Sequence, residues 1–156
     1  MLFPTHLLAA GVVGRASRLS TPWLVAGAAA PDLLDKPLAM AGLVDLFHSV
    51  GHSVLLLPLV VPLALYDRAA LAAAVGWALH LSLDAIHVVL NGRPEDVLSL
   101  AWPLAAPADP LALPPVPFVV RYVGTPSFFL EAAMWLVAGV VVLYDRTSRR
   151  TDDTPG

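Results

Sequence analysis

The chain has no cysteine and few charged residues. Across its 156 residues, the absence of cysteine excludes disulfide bonds and metal sites built on thiolates. Only 13% of the residues are charged, whereas a soluble domain uses roughly 25% to cover its surface. The net charge of −3 argues against nucleic acid as a partner, because neutralising phosphates requires basic patches.

What the sequence has in abundance is apolar side chains. Hydrophobic residues make up 58% of the chain, and the mean hydropathy is +0.74. This composition indicates a membrane protein, and the length suggests one domain. The opening "MLFPTHLL" lacks a basic region and is soon followed by Gly and Arg, so we expect no cleaved signal peptide.

The apolar residues form five segments, which predict an all-α, integral-membrane bundle of about five helical segments. The segments are 5–14, 22–30, 38–66, 69–90 and 128–144. The first two are shorter than the roughly 20 residues that cross a bilayer, so we expect a hairpin of half-buried helices. Segment 38–66 is predicted to be one long helix with kinks at its glycines and prolines. Segment 69–90 is the clearest full-length span.

A proline-rich loop precedes the last helix, because the many prolines between residues 91 and 127 exclude a long helix there. The sequence therefore predicts a single membrane-embedded helical domain over residues 1–146. Residues 147–156 are polar and are expected to form a disordered tail.

The basic residues predict how the chain is oriented in the membrane. Alternate threading of the five segments places six arginines on one side and three basic residues on the other. The six are Arg15, Arg18, Arg68, Arg146, Arg149 and Arg150, and the three are Lys36, Arg93 and Arg121. Because short basic loops stay in the cytoplasm, we expect the side with the six arginines to be cytoplasmic in a multi-pass protein of the cell (inner) membrane.

All five histidines lie in or beside apolar segments. Ionisable groups in membrane segments are costly and usually face a bundle interior or a water-filled cavity. In "GWALHLSLDAIHVVLNG", His80, Asp84 and His87 are spaced i, i+4 and i+7, which places them on one stripe of a helix. His48 and His52 form a second i, i+4 pair, predicted to lie on the preceding helix.

These side chains predict a site for a divalent metal, with zinc favoured and one or two ions expected. Imidazole and carboxylate suit zinc and other first-row ions, and helices that each present such pairs can build a site in a bundle core. The predicted ligands are His6, Asp32, His48, His52, His80 and Asp84, with His87 and Glu131 as additional candidates. Asp35 is the predicted general base. A single histidine on an apolar face is more often a hydrogen-bonded packing residue than a ligand, and it is the coincidence of all five with the aspartates that favours metal. Glu131 fits an acid at a helix N-terminus as well as it fits a role in the site.

An ordered set of motifs carries a family resemblance. "THLL", "PDLLDKP", "HSVGHSVLL", "GWALHLSLD" and "LAWPL" follow one another between residues 5 and 103. Together they resemble the membrane-bound metal-dependent hydrolases described as LexA-binding, inner-membrane-associated hydrolases. The order also has a distant likeness to zinc-dependent phospholipase C and P1 nuclease. The resemblance implies metal-site roles for the six predicted ligands and for Asp35.

The chain departs from the family pattern in one motif. Where the family has Arg-Gly after the first histidine of its paired motif, this chain has Ser49 and Val50, and Gly51 replaces a threonine. A cation that could bind an anionic group is thereby lost. Lys36 stands where a histidine is frequent, and His87 has no counterpart in the pattern.

Two classes of function fit these observations. The first is a membrane-embedded, metal-dependent hydrolase that activates water, acting on a phosphoester, a lipid-linked or another small-molecule substrate, with its site on the extracytoplasmic side. The second is a non-enzymatic protein that handles metal ions or protons, such as a transporter or sensor. Haem ligation by two histidines is a third reading, which leaves the aspartates without a role. The bilayer is the expected partner, and the oligomeric state is open.

Overall fold

The computed structural model describes residues 1–108 and 113–152, with side chains described as far as Tyr144. Within these ranges the chain is helical and has no strand. Six α-helices follow one another: α1 Phe3–Ala16, α2 Thr21–Met40, α3 Leu57–Tyr66, α4 Arg68–Leu90, α5 Pro115–Tyr122 and α6 Pro126–Asp152. Short 3-10 helices lie at Val54–Leu56 and Pro94–Ala101.

The prediction of one long helix over residues 38–66 is wrong. Helix α2 ends at Met40 and residues 41–53 contain no helix, so the chain becomes helical again only at Val54. The break follows from Gly42, whose φ of +70° lies in the left-handed region that ends helices. In contrast, α2 is longer than the segment 22–30 that predicted it, because its helix continues through Pro31 and Pro37.

Helices α2 and α4 pack closely at two glycines. A Cβ on Gly27 would lie 1.9 Å from the carbonyl oxygen of Ala73, and one on Gly76 would lie 2.0 Å from that of Leu24. These distances are far below any real contact, so only glycine permits the two helices to approach this closely. Around this contact a small core forms from Ala10, Leu24, Ala28 and Ala72. The approach brings the C-terminal half of α2 against the C-terminal half of α4.

Helix α4 begins at a capped turn and ends in a glycine turn. The Asp67 carboxylate accepts a hydrogen bond of 2.8 Å from the amide of Ala70, which satisfies a free donor of the first turn. At the other end, Gly92 has a φ of +74° and turns the chain away from the helix axis. A single helix of 23 residues thus carries His80, Asp84 and His87.

Two of the described helical stretches are long and apolar enough to cross a membrane, namely Arg68–Leu90 and Pro126–Tyr144. The helix of Val54–Tyr66 is apolar but shorter. Only 11% of the most apolar window of Pro126–Tyr144 is buried within the protein. Most of its apolar side chains therefore lie on the outside of the fold.

Between α4 and α6 the described residues contain only short helices, in line with the many prolines of this region. Helix α6 is described as far as Asp152, and the expectation of a disordered tail over residues 147–156 stays a prediction. The rest of the expected tail, residues 153–156, lies outside the described part of the chain.

Candidate metal centre

Six imidazole and carboxylate side chains from four parts of the chain converge on one place. His6 comes from α1, Asp32 from α2, His48 and His52 from the loop 41–53, and His80 and Asp84 from α4. They form three overlapping groups in which the potential ligand atoms lie within 4.8 Å of one another: His6, His80 and Asp84; Asp32, His52 and His80; His48, His52 and Asp84. These groups can hold a metal ion.

Asp84 is the centre of this cluster. Its Oδ1 lies 3.0 Å from Nε2 of His6, and its Oδ2 lies 3.2 Å from Nε2 of His80. The same Oδ2 is 3.5 Å from Nε2 of His52 and 3.6 Å from Nε2 of His48. The amino nitrogen of Met1 lies 2.9 Å from Oδ1. One carboxylate therefore faces four imidazoles, with a different oxygen toward α1 than toward the loop.

Asp32 completes the cluster from the side of α2. Its Oδ1 lies 3.7 Å from Nε2 of His52 and 3.9 Å from Nε2 of His80. Its Oδ2 accepts a hydrogen bond of 2.6 Å from Nζ of Lys36, one turn further along the helix. The two oxygens thus have separate tasks, one toward the histidines and one toward the lysine.

Three of the histidines are held by their Nδ1 atoms so that Nε2 faces inward. Nδ1 of His80 donates to the carbonyl of Ala28 at 2.7 Å, and Nδ1 of His6 donates to the carbonyl of Leu2 at 3.2 Å. Nδ1 of His52 donates to the Asp35 carboxylate at 2.7 Å. Because carbonyl and carboxylate oxygens only accept, the proton of each neutral ring sits on Nδ1. The Nε2 lone pair then points into the cluster, as in metal-binding histidines.

Asp35 is fully occupied with holding the loop. Its carboxylate accepts hydrogen bonds from the amides of Ser49 and Gly51, each at 2.8 Å, and from the amide and Nδ1 of His52. Burial opposes the charge, but the hydrogen bonds from His52, Gly51 and Ser49 hold the pKa of Asp35 below its usual value. With no exposed surface, this carboxylate orients His52, whereas the sequence suggested a general base.

The prediction that His48 and His52 share a helical face is wrong, because both lie in the non-helical loop 41–53. Their rings still meet, with centroids 4.5 Å apart. Gly51 makes this possible, since a Cβ there would lie 2.9 Å from Cα of Pro31. The carbonyl of Gly51 also accepts a 2.8 Å hydrogen bond from Nε1 of Trp77. Loop and helices are thus locked together around the cluster.

The cluster opens into a cavity of about 630 Å³. Most of its wall is apolar and includes Phe47, Val88, Leu100 and Phe118. Three basic side chains also line it, namely Lys36, Arg93 and Arg121. A cavity of this size next to a ligand cluster is where a small molecule would bind.

The two additional candidates lie beside the cluster and outside its three ligand groups. Glu131 is buried, and its carboxylate accepts hydrogen bonds from the hydroxyls of Thr5 and Tyr122. It therefore ties α6 to α1 and α5. His87 lines the cavity and stacks on Tyr122, with ring centroids 5.2 Å apart. The sequence reading missed Tyr122, because nothing in "RYVGT" distinguishes it before the fold places it beside Glu131.

Comparison with protein-family models, with curated proteins and with solved structures returned no match for this chain. The family resemblance drawn from the motifs therefore stays an expectation. What the structure supplies by itself is a buried set of nitrogen and oxygen ligands without thiolate, which suits a first-row divalent ion.

Proposed function

We propose that this protein is a membrane-embedded, metal-dependent hydrolase in which the His/Asp cluster binds zinc. The observation that carries the proposal is the inward direction of the Nε2 atoms. Nε2 of His52 and Nε2 of His80 lie 3.0 Å apart, and both lie within 3.5 Å of Oδ2 of Asp84. Lone pairs and carboxylate oxygens brought this close repel one another unless a metal ion or a proton lies among them, and the place is therefore suited to a metal ion.

The ligand set fits zinc in kind, and it is large enough for one or two ions. Zinc takes four ligands in structural sites and about three protein ligands in catalytic sites, where water fills the open position. Six candidate ligands exceed that number, so either one ion uses part of the set or two ions share it. Asp84 would be a ligand in either case, because Oδ1 faces His6 while Oδ2 faces the loop histidines.

The residues around the cluster have different proposed roles in hydrolysis. Zinc held by these residues would supply a Lewis acid that activates water and polarises the bond to be broken. Asp35 orients His52 and His80 is oriented by the carbonyl of Ala28, so two ligands are fixed before substrate arrives. Lys36, hydrogen-bonded to Asp32 and lining the cavity, is placed to neutralise an anionic substrate group.

The bilayer is the proposed environment, with α4 and α6 as spans. The support is the composition of both helices together with the exposure of α6, where Leu136, Val137 and Leu143 are each more than 60% exposed. Such side chains would face water unless lipid covers them. We propose a multi-pass arrangement in the inner membrane, with the cluster toward the extracytoplasmic surface. A phosphoester or lipid-linked substrate fits an apolar cavity that ends at a metal cluster.

Elemental analysis of detergent-purified protein tests the proposal, with His80→Ala and His87→Ala as a matched pair on one helix. His80 belongs to two of the three ligand groups and His87 to none. We expect the wild type and His87→Ala to retain zinc and His80→Ala to lose most of it. Absence of zinc from the wild type, or equal zinc in both variants, would contradict the metal site.

A panel of phosphodiester, phosphomonoester and carboxylic ester substrates tests the reaction separately. Turnover that depends on zinc and disappears in His80→Ala supports a hydrolase. Zinc binding without turnover of any substrate in the panel would favour the alternative, a metal-handling transporter or sensor.

A further inference from the structure

His87 carries a buried polar atom without a hydrogen-bond partner. Only 7% of the residue is exposed, and its Nδ1 makes no hydrogen bond within the described part of the protein. Leaving a buried donor or acceptor unsatisfied is costly, so each such group calls for an explanation. A bound molecule that supplies the missing partner is one explanation.

The neighbours of His87 determine which kind of group is missing. Oδ1 of Asn91 accepts a hydrogen bond from the amide of Ser127 at 3.1 Å, which fixes the orientation of the Asn91 amide. Its Nδ2 therefore faces Nε2 of His87, at 3.3 Å. Because the amide nitrogen only donates, Nε2 accepts and the proton of the neutral ring lies on Nδ1. The unpartnered atom is thus a donor, which calls for an acceptor.

The ring of His87 lies in the wall of the cavity, next to the metal cluster. His87 and Asp84 both line the cavity, three residues apart on α4, and side chains at this spacing are neighbours. On its other side His87 stacks on Tyr122 and approaches Phe118, with ring centroids 5.2 and 5.9 Å apart. His87 therefore lies where the polar floor of the cavity meets its apolar wall.

The charges of the lining favour an anionic partner. The cavity is lined by three basic side chains, Lys36, Arg93 and Arg121, and by three acidic ones, Asp32, Asp84 and Asp96. The formal charges of these six side chains sum to zero. A divalent ion in the cluster makes the cavity positive. An oxygen of a negatively charged group would satisfy both the charge and the Nδ1 donor.

We propose that the cavity binds an amphiphilic phosphate monoester, with Nδ1 of His87 donating a hydrogen bond to an oxygen of the phosphate group. The apolar chain lies along the wall that includes Val88, Leu100 and Phe118. This inference rests on the proposed function for the metal ion and names the substrate class of the same site. It gives His87 the role of a substrate-binding residue in place of a metal ligand.

Dodecylphosphonate tests this proposal, because its carbon–phosphorus bond resists hydrolysis. Its equilibrium binding is measured on zinc-loaded protein in lipid nanodiscs, with empty nanodiscs subtracted. Two control ligands represent its parts: methylphosphonate carries the phosphonate head group alone, and dodecanol carries the alkyl chain without the phosphonate. We expect dodecylphosphonate to bind the wild type at least about 10-fold more tightly than either, because head and chain both contribute.

Three variants isolate the donor. His87→Phe keeps a ring for stacking, and His87→Gln keeps an amide near the Nε2 position, but both remove the Nδ1 donor. His87→Asn places an amide near the Nδ1 position. Loss of a hydrogen bond to a charged group weakens binding about 10-fold or more, so we expect this loss in the Phe and Gln variants. The Asn variant should bind within about threefold of the wild type, since its amide can still donate.

Zinc content of each sample separates the two proposals. If zinc is bound and dodecylphosphonate binds equally to the wild type and to His87→Phe and His87→Gln, the role of His87 is overturned while the metal site stands. If methylphosphonate binds as tightly as dodecylphosphonate, the ligand is a free phosphate group and the amphiphile is overturned. If the wild type holds no zinc, the proposed function itself fails.

Discussion

Nε2 of His52 and Nε2 of His80 face each other at 3.0 Å, although one residue comes from a loop and the other from the middle of a helix. Each ring is anchored on its far side by Nδ1, so neither can turn away without losing a hydrogen bond. The place between them therefore requires either a proton or a metal ion. That competition makes the site sensitive to pH.

Zinc affinity should rise with pH as far as about pH 9. Burial opposes the charged ring, but the hydrogen bonds to Asp35 and Asp84 raise the pKa of His52 to about 9. A raised pKa means that the proton is retained below that pH, so zinc must displace it. We expect the apparent zinc affinity to increase roughly 10-fold per pH unit between neutral pH and the pKa, and then to level off. Competition with a fluorescent chelator measures this.

A variant locates the origin of the pH dependence. In Asp35→Asn the charge that raises the pKa of His52 is gone, so the affinity should level off at a lower pH than in the wild type. An affinity that does not change between neutral pH and about pH 9 would show that His52 is not a ligand.

Measured above about pH 9, where His52 has lost its proton in both proteins, Asp35→Asn should also weaken zinc binding. An amide keeps the size of the side chain but cannot accept four hydrogen bonds from the loop and His52. Loss of such an orienting partner typically lowers metal affinity about 10- to 100-fold. Asp45→Asn is the matched control, because Asp45 is exposed in the same loop. Unchanged affinity with lost turnover would restore the sequence-based prediction that Asp35 is the general base.

The close contact of α2 and α4 should be intolerant of a single methyl group. A Cβ on Gly76 meets backbone atoms of Leu24 at 2.0 Å, so the helices must separate and carry Asp32 away from His80. We expect Gly76→Ala to cost about 1–3 kcal/mol of stability, as overpacking does, and to lower zinc content. Thermal unfolding in detergent measures the first effect.

Gly11→Ala is the control for that substitution. Among the described residues, no atom lies within 4 Å of a Cβ at Gly11 in the middle of α1, so alanine should stabilise the helix by about 0.5–1 kcal/mol. Equal thermal stability of Gly76→Ala and Gly11→Ala would show that α2 and α4 do not pack as closely at Gly76 as this contact requires.

The grouping of the side chains was predicted more accurately from the sequence than the local backbone structure that carries them. His80 and Asp84 follow from helical spacing, and a spacing argument suffices because both lie on one helix. His48 and His52 share the same spacing, yet they meet through a loop whose path depends on Asp35 and Gly51. Two histidines spaced four residues apart can therefore meet in more than one backbone conformation.

Other features of the site depend on contacts between distant residues. The orientation of Asp35 is set by backbone amides, and amides carry no signature in the sequence. Glu131 meets Thr5 across more than a hundred residues, so no local pattern shows whether it caps a helix or joins two. The unpartnered Nδ1 of His87 becomes visible only once Asn91 and Ser127 are in place.

The side on which the cavity lies can be measured with two cysteines in a chain that has none of its own. Leu104, after the Trp102–Pro103 bond, is 80% exposed, and Tyr66, two residues before Arg68, is 93% exposed. Because short basic loops resist translocation, we expect the end of α4 that carries Arg68 to stay in the cytoplasm. His80 lies about 18 Å further along α4 at 1.5 Å per residue, toward the opposite surface.

In intact cells, Leu104→Cys should therefore react with an impermeant thiol reagent and Tyr66→Cys should react only after lysis. The reverse labelling would turn the protein over and make a cytoplasmic substrate the better candidate.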